Sequence, residues 1–326
     1  MLTTRITDMF GIDYPIMSAP MANHSGGTLA AAVSAAGGLG SFGAISDIRG
    51  PDWVRGQAEY IRSQTDRPFG IGFITVFIPM FEGHFQAALE TRPPVLALSF
   101  GTPAPYIERG KAAGAKLMCQ VQTLESAAEA VSAGADVLVA QGNEAGGHTG
   151  TMNLLPLLVR ILDKHPDVPV MASGGIATGR SLAAVLAAGA DGAWVGTAFL
   201  ATPEAVEVHE THKRIVVESD GQDTAWTTAY DTLSGAPWPQ GIGGRVRRNR
   251  FVNEWDARDE EIAANRAAMQ AEMDKRRDVF DIEAAPIWMG QGAGAVQSVR
   301  PAADVLRDIC GDAERILRER LGRVLG

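Results

Sequence analysis

Gln141-Gly142-Asn143-Glu144-Ala145-Gly146-Gly147-His148-Thr149-Gly150 is the stretch on which the fold reading turns. Val137-Leu138-Val139-Ala140 stands directly before it and reads as a buried strand. Glycines at 146, 147 and 150 let the backbone lie close to a flat ligand or take positive φ. A helix-like apolar segment, 154–162, follows. His148 therefore falls in a loop at the C-terminal end of a strand, where parallel α/β proteins carry their chemistry.

On both sides of this stretch one cadence repeats from residue 15 to about residue 200. A short apolar strand gives way to a Gly-rich or polar loop, then an Ala-rich helix, then a glycine that ends the helix. Strands are expected at 15–19, 39–43, 69–73, 95–99, 116–120, 137–141, 168–173 and 192–196. Helices are expected at 27–36, 52–64, 104–113 and 180–188, with Pro51 at a favoured start and Thr123 as an N-cap with Glu125 in the first turn. Ala113-Gly114-Ala115, Ala133-Gly134-Ala135 and Ala188-Gly189-Ala190 share one grammar: a left-handed glycine, then immediate entry to a strand. Eight such units point to an α/β chain with a (β/α)8 TIM barrel. A doubly wound open sheet is the alternative, weakened by the lack of Gly-x-Gly-x-x-Gly after the first strand.

The cadence stops after about Ala205. Residues 206–284 are more polar, with a turn-rich Leu233-Ser234-Gly235-Ala236-Pro237-Trp238-Pro239 and a helical pattern over 256–277. They read as a small, mostly helical inserted domain, a lid or substrate domain on a barrel built from 1–205 plus 285–326. A closing helix is expected over 302–321.

Composition excludes several function classes. Net charge is −9, so no basic footprint for nucleic acid exists. The one basic cluster, Arg245, Arg247, Arg248 and Arg250, is followed by Glu254, Asp256, Asp259, Glu260 and Glu261, which favours local pairing or solvation. Cys119 and Cys310 have no metal-type spacing. No signal-peptide core and no bilayer-length apolar run is present, so no membrane role and a cytoplasmic location are expected. The oligomeric state stays open, a homo-oligomer included.

Ser173-Gly174-Gly175-Ile176 follows the seventh strand, and Trp194-Val195-Gly196-Thr197 ends the eighth. In a TIM barrel these two loops form a recurrent phosphate site, with backbone N–H groups, two hydroxyls and a helix start. Paired glycine turns without a ligand are the plain alternative. A flavin mononucleotide would put its phosphate there and its ring over the barrel mouth, against Gly146 and Gly147. Gln120 and Gln141 end strands and could bond its polar edge or brace the barrel. Ala19, Pro20 and Met21 could cover one side. His148 is the candidate acid/base, because imidazole titrates near neutrality. His24 faces the same mouth, and Phe73 opens an apolar loop, 73–77; both are assigned to the substrate pocket, with a satisfied loop histidine as the equal alternative for His24. His84, His165, His209 and His212 fall on helix-like or surface segments. Glu144 could orient His148 or pair elsewhere. Trp226, Tyr230 and Trp238 could wall an apolar pocket or form core in the insert.

The stretch 141–150 resembles the signature of nitronate monooxygenases, formerly 2-nitropropane dioxygenases. The similarity extends to Pro15-Ile16-Met17-Ser18-Ala19-Pro20-Met21, Ala35-Ala36-Gly37-Gly38-Leu39-Gly40, Pro68-Phe69-Gly70-Ile71 and Gly290-Gln291-Gly292-Ala293-Gly294. The resemblance implies an FMN-binding barrel that oxidises alkyl nitronates, and in some members nitroalkanes, with O2. His148 matches the histidine that abstracts the α-proton of nitroalkanes. The implied FMN contacts add Ala145, Ser173, Gly174, Gly175, Trp194, Val195, Gly196, Thr197 and Gln291 to those above. One departure stands out: many members carry Asn where this chain has Gly72. Similar Gly-Gly-His motifs occur in flavin-dependent enoyl reductases and NADH:quinone reductases, so an NAD(P)H-driven reductase is the alternative. A flavin-free phosphate-sugar barrel is a third reading.

Overall fold

Strands form where short apolar or small-residue runs sit between glycine-ended helices. The computed structural model describes residues 2–324 and has eleven strands among them. In chain order these are β1 (Ile16–Ser18), β2 (Gly40–Gly43), β3 (Phe69–Ile74), β4 (Val95–Ser99), β5 (Lys116–Val121), β6 (Val137–Gln141), β7 (Gly147–Thr149), β8 (Val170–Ser173), β9 (Gly192–Val195), β10 (Thr224–Thr227) and β11 (Gly243–Arg247). Eight make one parallel sheet in the order β1-β9-β8-β6-β5-β4-β3-β2. A bridge between Met17 and Leu39 joins its two ends, with the Leu39 N–H donating to the Ile16 carbonyl at 2.9 Å. The sheet is a closed (β/α)8 barrel of the TIM type and not an open one.

Alternation along the strands sorts the core. Val95, Ala97, Val137 and Val139 join Met17, Leu39, Met118, Met171 and Trp194 in one buried cluster, the barrel interior. Their neighbours Leu96, Leu98, Leu138 and Ala140 belong to the outer cluster, with helix residues such as Leu157, Ile161 and Leu182. Helix Arg5–Phe10 adds Ile6 to the interior cluster, and Arg5 grips Asp191 through Nε and an Nη, both at 2.8 Å.

The helix ends follow the expected grammar. Gly114, Gly134 and Gly189 have φ of +87°, +90° and +106°. The next residues, Ala115, Ala135 and Ala190, donate back to the carbonyls of Gly110, Ala130 and Val185, which closes a Schellman turn at each end. Thr123 accepts from the Ser126 N–H in a capping box.

Both cysteines are free and buried, and burial pushes each thiol up to about 12. At pH 8 the folded protein is therefore expected to resist iodoacetamide at Cys119 and Cys310, with both alkylated once it is unfolded; mass spectrometry reads this directly.

Beyond Ala205, residues 206–284 hold helices Glu210–Glu218, Ala229–Ser234, Arg250–Trp255 and Asp259–Asp278, with β10 and β11. Tyr230, Val246, Phe251 and Ile262 form part of a separate apolar cluster there. The helical pattern over 256–277 starts later than expected, because Ala257 takes φ of +62° and separates two helices. The stretch 141–150 is not all loop. Its β7 pairs antiparallel with β11, which pairs with β10 in turn, so one small sheet joins the barrel to the segment after it. No helix among the described residues is long and apolar enough to cross a membrane.

Candidate active site

A cavity of about 350 Å³ opens at the C-terminal ends of the barrel strands. Ala19, Pro20, Met21, His24, Phe73, Gln120, Gln141, Ala145, Gly146, Gly147, His148, Ser173, Gly174, Gly175, Trp194, Gly196 and Thr197 all line it. Val195 and Gln291 do not. Strand alternation turns Val195 outward into the helix-facing core, and its carbonyl accepts from the Ala19 N–H at 2.8 Å. Gln291 is exposed, and its N–H donates to the Glu144 carbonyl at 3.0 Å.

His148 sits on β7, opposite Gly244 of β11. That glycine is needed there: a Cβ at 244 would lie 2.4 Å from the Trp288 ring. The connection around His148 is tied down from several sides. The Asn143 amide donates to the Gly150 carbonyl at 2.6 Å, and the Thr149 hydroxyl donates to the Gly142 carbonyl at 3.1 Å. Trp226 Nε1 donates to the Thr149 carbonyl at 3.2 Å, so this indole anchors β7 and does not line the cavity. Arg245 is buried and donates through Nε to the Asn143 carbonyl at 2.6 Å. It pairs with this loop and not with the acidic run that follows it in sequence. Burial lowers its pKa, opposed by the Glu144 carboxylate.

The imidazole of His148 bonds through Nε2 to Asp231 Oδ1 at 2.7 Å. It stacks on Trp238 with centroids 3.6 Å apart, and Trp288 lies 5.1 Å away. Glu144 does not orient it: that carboxylate accepts the Leu154 N–H at 3.0 Å, where a helix begins. Asp231 is the residue that reading along the chain misses. It carries no motif, and only tertiary pairing brings it within reach of a histidine 83 residues away.

Other parts of the lining are polar and small. Gly174 and Gly175 have φ of +116° and +67°. The N–H groups of Gly175 and Gly196 have no acceptor among the described residues. The Thr197 hydroxyl accepts from the Gly290 N–H at 3.0 Å and keeps its own proton to donate. Gln120, 9% exposed, and Ser173, 5% exposed, line the cavity with side chains that bond no described residue. Buried polar groups of this kind call for a partner. Gly147, at φ of +74°, has nothing within 4 Å of where a Cβ would be, so it leaves open space beside His148. Unsatisfied donors, an amide pair and a flat glycine surface fit a phosphate-bearing heteroaromatic ring.

Gln141 is more committed than the sequence suggests. It accepts from Gln122 Nε2 at 2.8 Å and donates to the His148 carbonyl at 3.0 Å, so only one N–H remains for a ligand. Gly72 has a spatial cause: a Cβ there would fall 2.3 Å from Pro20 Cβ and Cγ, which fill that space. Of the three aromatics expected as a possible wall, Trp238 alone lines the cavity, held edge-on by Phe77 at 4.9 Å and Phe100 at 5.3 Å. Tyr230 is core: its hydroxyl donates to the Ala284 carbonyl at 2.8 Å. Among the described residues no group of three or more His, Cys, Asp or Glu could hold a metal ion.

His24 bonds the Ala22 carbonyl through Nδ1 at 2.9 Å, edge-on to His212 at 5.4 Å. His212 falls on helix Glu210–Glu218; it is 2% exposed and bonds the Trp288 carbonyl through Nε2 at 2.9 Å. Burial pushes both imidazoles down, His212 to about 4, with the charge of His24 adding to the effect. His212 is therefore neutral in the fold above about pH 4, while in the unfolded chain it takes up a proton near the ordinary value of 6.5. Stability is full above about pH 6.5, falls as the pH drops, and stops falling through His212 below about pH 4. The His212 share is on the order of 3 kcal/mol. Denaturant unfolding at pH 7 and pH 4.5 is expected to show a smaller loss of stability in His212→Gln than in the parent.

Comparisons with known proteins give the family of the chain. The nitronate monooxygenase family profile matches residues 3–312. A nitronate monooxygenase of Paraburkholderia phytofirmans is 32% identical, the match covering 96% of this chain and 94% of that one. FabK of Thermotoga maritima superposes with a TM-score of 0.86 at 32% identity, covering 99% of this chain and all of that one. The nitroalkane oxidase of Streptomyces ansochromogenes superposes at 0.80 with 30% identity, covering 97% and 99%. A profile match over nearly the whole length, on a closed barrel with its histidine at the mouth, means that this chain belongs to the nitronate monooxygenase family and is an oxidoreductase of that type.

Proposed function

We propose that the protein is an FMN-dependent oxidoreductase that oxidises alkyl nitronates with O2. The observation that carries this reading is what a single cavity brings together. Buried, unpartnered Gln120 and Ser173, open glycine backbone and His148 all line it. Gly175, Gly196 and Thr197 would hold the phosphate through their N–H groups and hydroxyl. Gln120 and the remaining N–H of Gln141 would hold the polar edge of the ring. When bound, FMN supplies the electron transfer between substrate and O2. His148 removes the α-proton when the substrate arrives as a neutral nitroalkane; a nitronate needs no base. Trp238, Phe100 and Phe73 exclude water around the substrate's apolar part.

The similarity to FabK supports a second reading, an NAD(P)H-dependent reductase of enoyl thioesters acting through the same site. Anaerobic mixing of the FMN-loaded protein with a nitronate, and separately with NADH, separates them. Bleaching of the flavin absorbance by the nitronate alone is expected. Rapid bleaching by NADH, with none by nitronate, would transfer the assignment to the reductase. A purified protein that is colourless and takes up no added FMN would remove both.

A further inference from the structure

We propose that Asp231 is a positioning residue for proton abstraction, setting the tautomer of His148 so that Nδ1 is the basic nitrogen. The inference rests on the reading of His148 as the base. An ionised carboxylate only accepts hydrogen bonds, so the 2.7 Å contact from Asp231 Oδ1 requires the proton on Nε2. A neutral imidazole has one N–H, which leaves the lone pair on Nδ1. Nδ1 makes no hydrogen bond to a described residue, and His148 lines the cavity.

The pair is enclosed, with side-chain exposures of 16% for His148 and 13% for Asp231. Asp231 Oδ2 is sealed from solvent, and among the described residues the imidazole is the only side-chain group this carboxylate binds. Stacking on Trp238 at 3.6 Å and 14° stops the ring from turning. The short helix that carries Asp231 is itself fixed. Thr228 and Thr232 donate their hydroxyls to Asp259, and Arg266 Nε donates to the Thr232 carbonyl at 3.1 Å.

In the step this serves, the substrate's α-C–H bond breaks and its proton forms an N–H bond at Nδ1. The electron pair left on carbon delocalises onto the nitro oxygens, giving the nitronate. The new imidazolium is paired with the Asp231 carboxylate and lies against the face of Trp238.

Asp231→Asn keeps the shape and removes the obligatory acceptor. In the parent, ¹⁵N NMR of labelled histidine, assigned with His148→Asn, is expected to show the Nε2–H tautomer; in Asp231→Asn that preference is expected to be lost. In the FMN-loaded enzyme, kcat/KM for a neutral nitroalkane is expected to fall roughly 10²-fold. Oxidation of the preformed nitronate should stay within about threefold, since it needs no base. An unchanged tautomer, or unchanged nitroalkane oxidation in Asp231→Asn while His148→Asn abolishes it, overturns the proposal and leaves the base reading intact. Equal losses on both substrates overturn it too, because Asp231 would then act on the fold alone. Full nitroalkane oxidation in His148→Asn removes the base reading, and this inference with it.

Discussion

Replacing His148 with asparagine is expected to lower kcat/KM for a neutral nitroalkane by roughly 10³-fold. That corresponds to about 4 kcal/mol of transition-state stabilisation. The preformed nitronate should be oxidised within about threefold of the parent rate, because its α-proton is already gone. Asparagine cannot take up a proton near neutrality, and it is too short to keep the stack on Trp238 or the contact to Asp231. Flavin absorbance serves as the control: Gln120, Ser173, Gly175, Gly196 and Thr197 are untouched by the change, so the yellow colour should persist. Equal loss on both substrates would show that His148 shapes the cavity and abstracts no proton.

Gly146→Ala is expected to weaken FMN binding by about tenfold to a hundredfold, the equivalent of an overpacking strain of about 1–3 kcal/mol. A Cβ at 146 would lie 2.4 Å from the Gly290 nitrogen and 2.5 Å from the Met289 carbonyl carbon. These are backbone atoms, so no side chain can swing aside. Gly290 is equally committed, since its own Cβ would fall 2.6 Å from the Gly146 nitrogen and the Glu144 carbonyl oxygen. Forcing the two segments apart disturbs two parts of the lining at once. Gly290 bonds Thr197 Oγ1 on the polar side, and Gln291 bonds the Glu144 carbonyl beside the histidine strand. Fluorescence titration of the FMN-free protein with FMN measures the change. Undiminished affinity would mean that the crossing is softer than its distances imply.

The barrel was legible because its signals are local. Glycine-ended helices and alternating strand residues need no knowledge of what lies across the fold, and Gly114, Gly134 and Gly189 behave as their sequence context predicts. The mouth was legible for a related reason: strand ends in a closed parallel barrel converge, so residues such as Gln120, Ser173 and Gly196 meet without further information. Three features were not legible. Gly147-His148-Thr149 has little strand character, and its partner β11 lies about a hundred residues downstream. Asp231 is one carboxylate in a short helix, indistinguishable from a solvated one until tertiary packing brings it to His148. Trp226, Tyr230 and Trp238 are alike as sequence, yet one anchors β7, one is core and one lines the cavity. Only the turn-rich path of the chain between them sorts these roles.

The pairing of β7 with β11 bears on how such enzymes could diversify. A segment that merely covered a barrel could be traded between relatives to change substrate choice while the chemistry stayed put. Here the traded piece would carry half the ladder under the histidine, its carboxylate and its stacking indole. Chimeras that exchange 206–284 alone should therefore lose turnover before they lose cofactor, and new specificities would have to arise by substitution within this segment, not by its wholesale replacement.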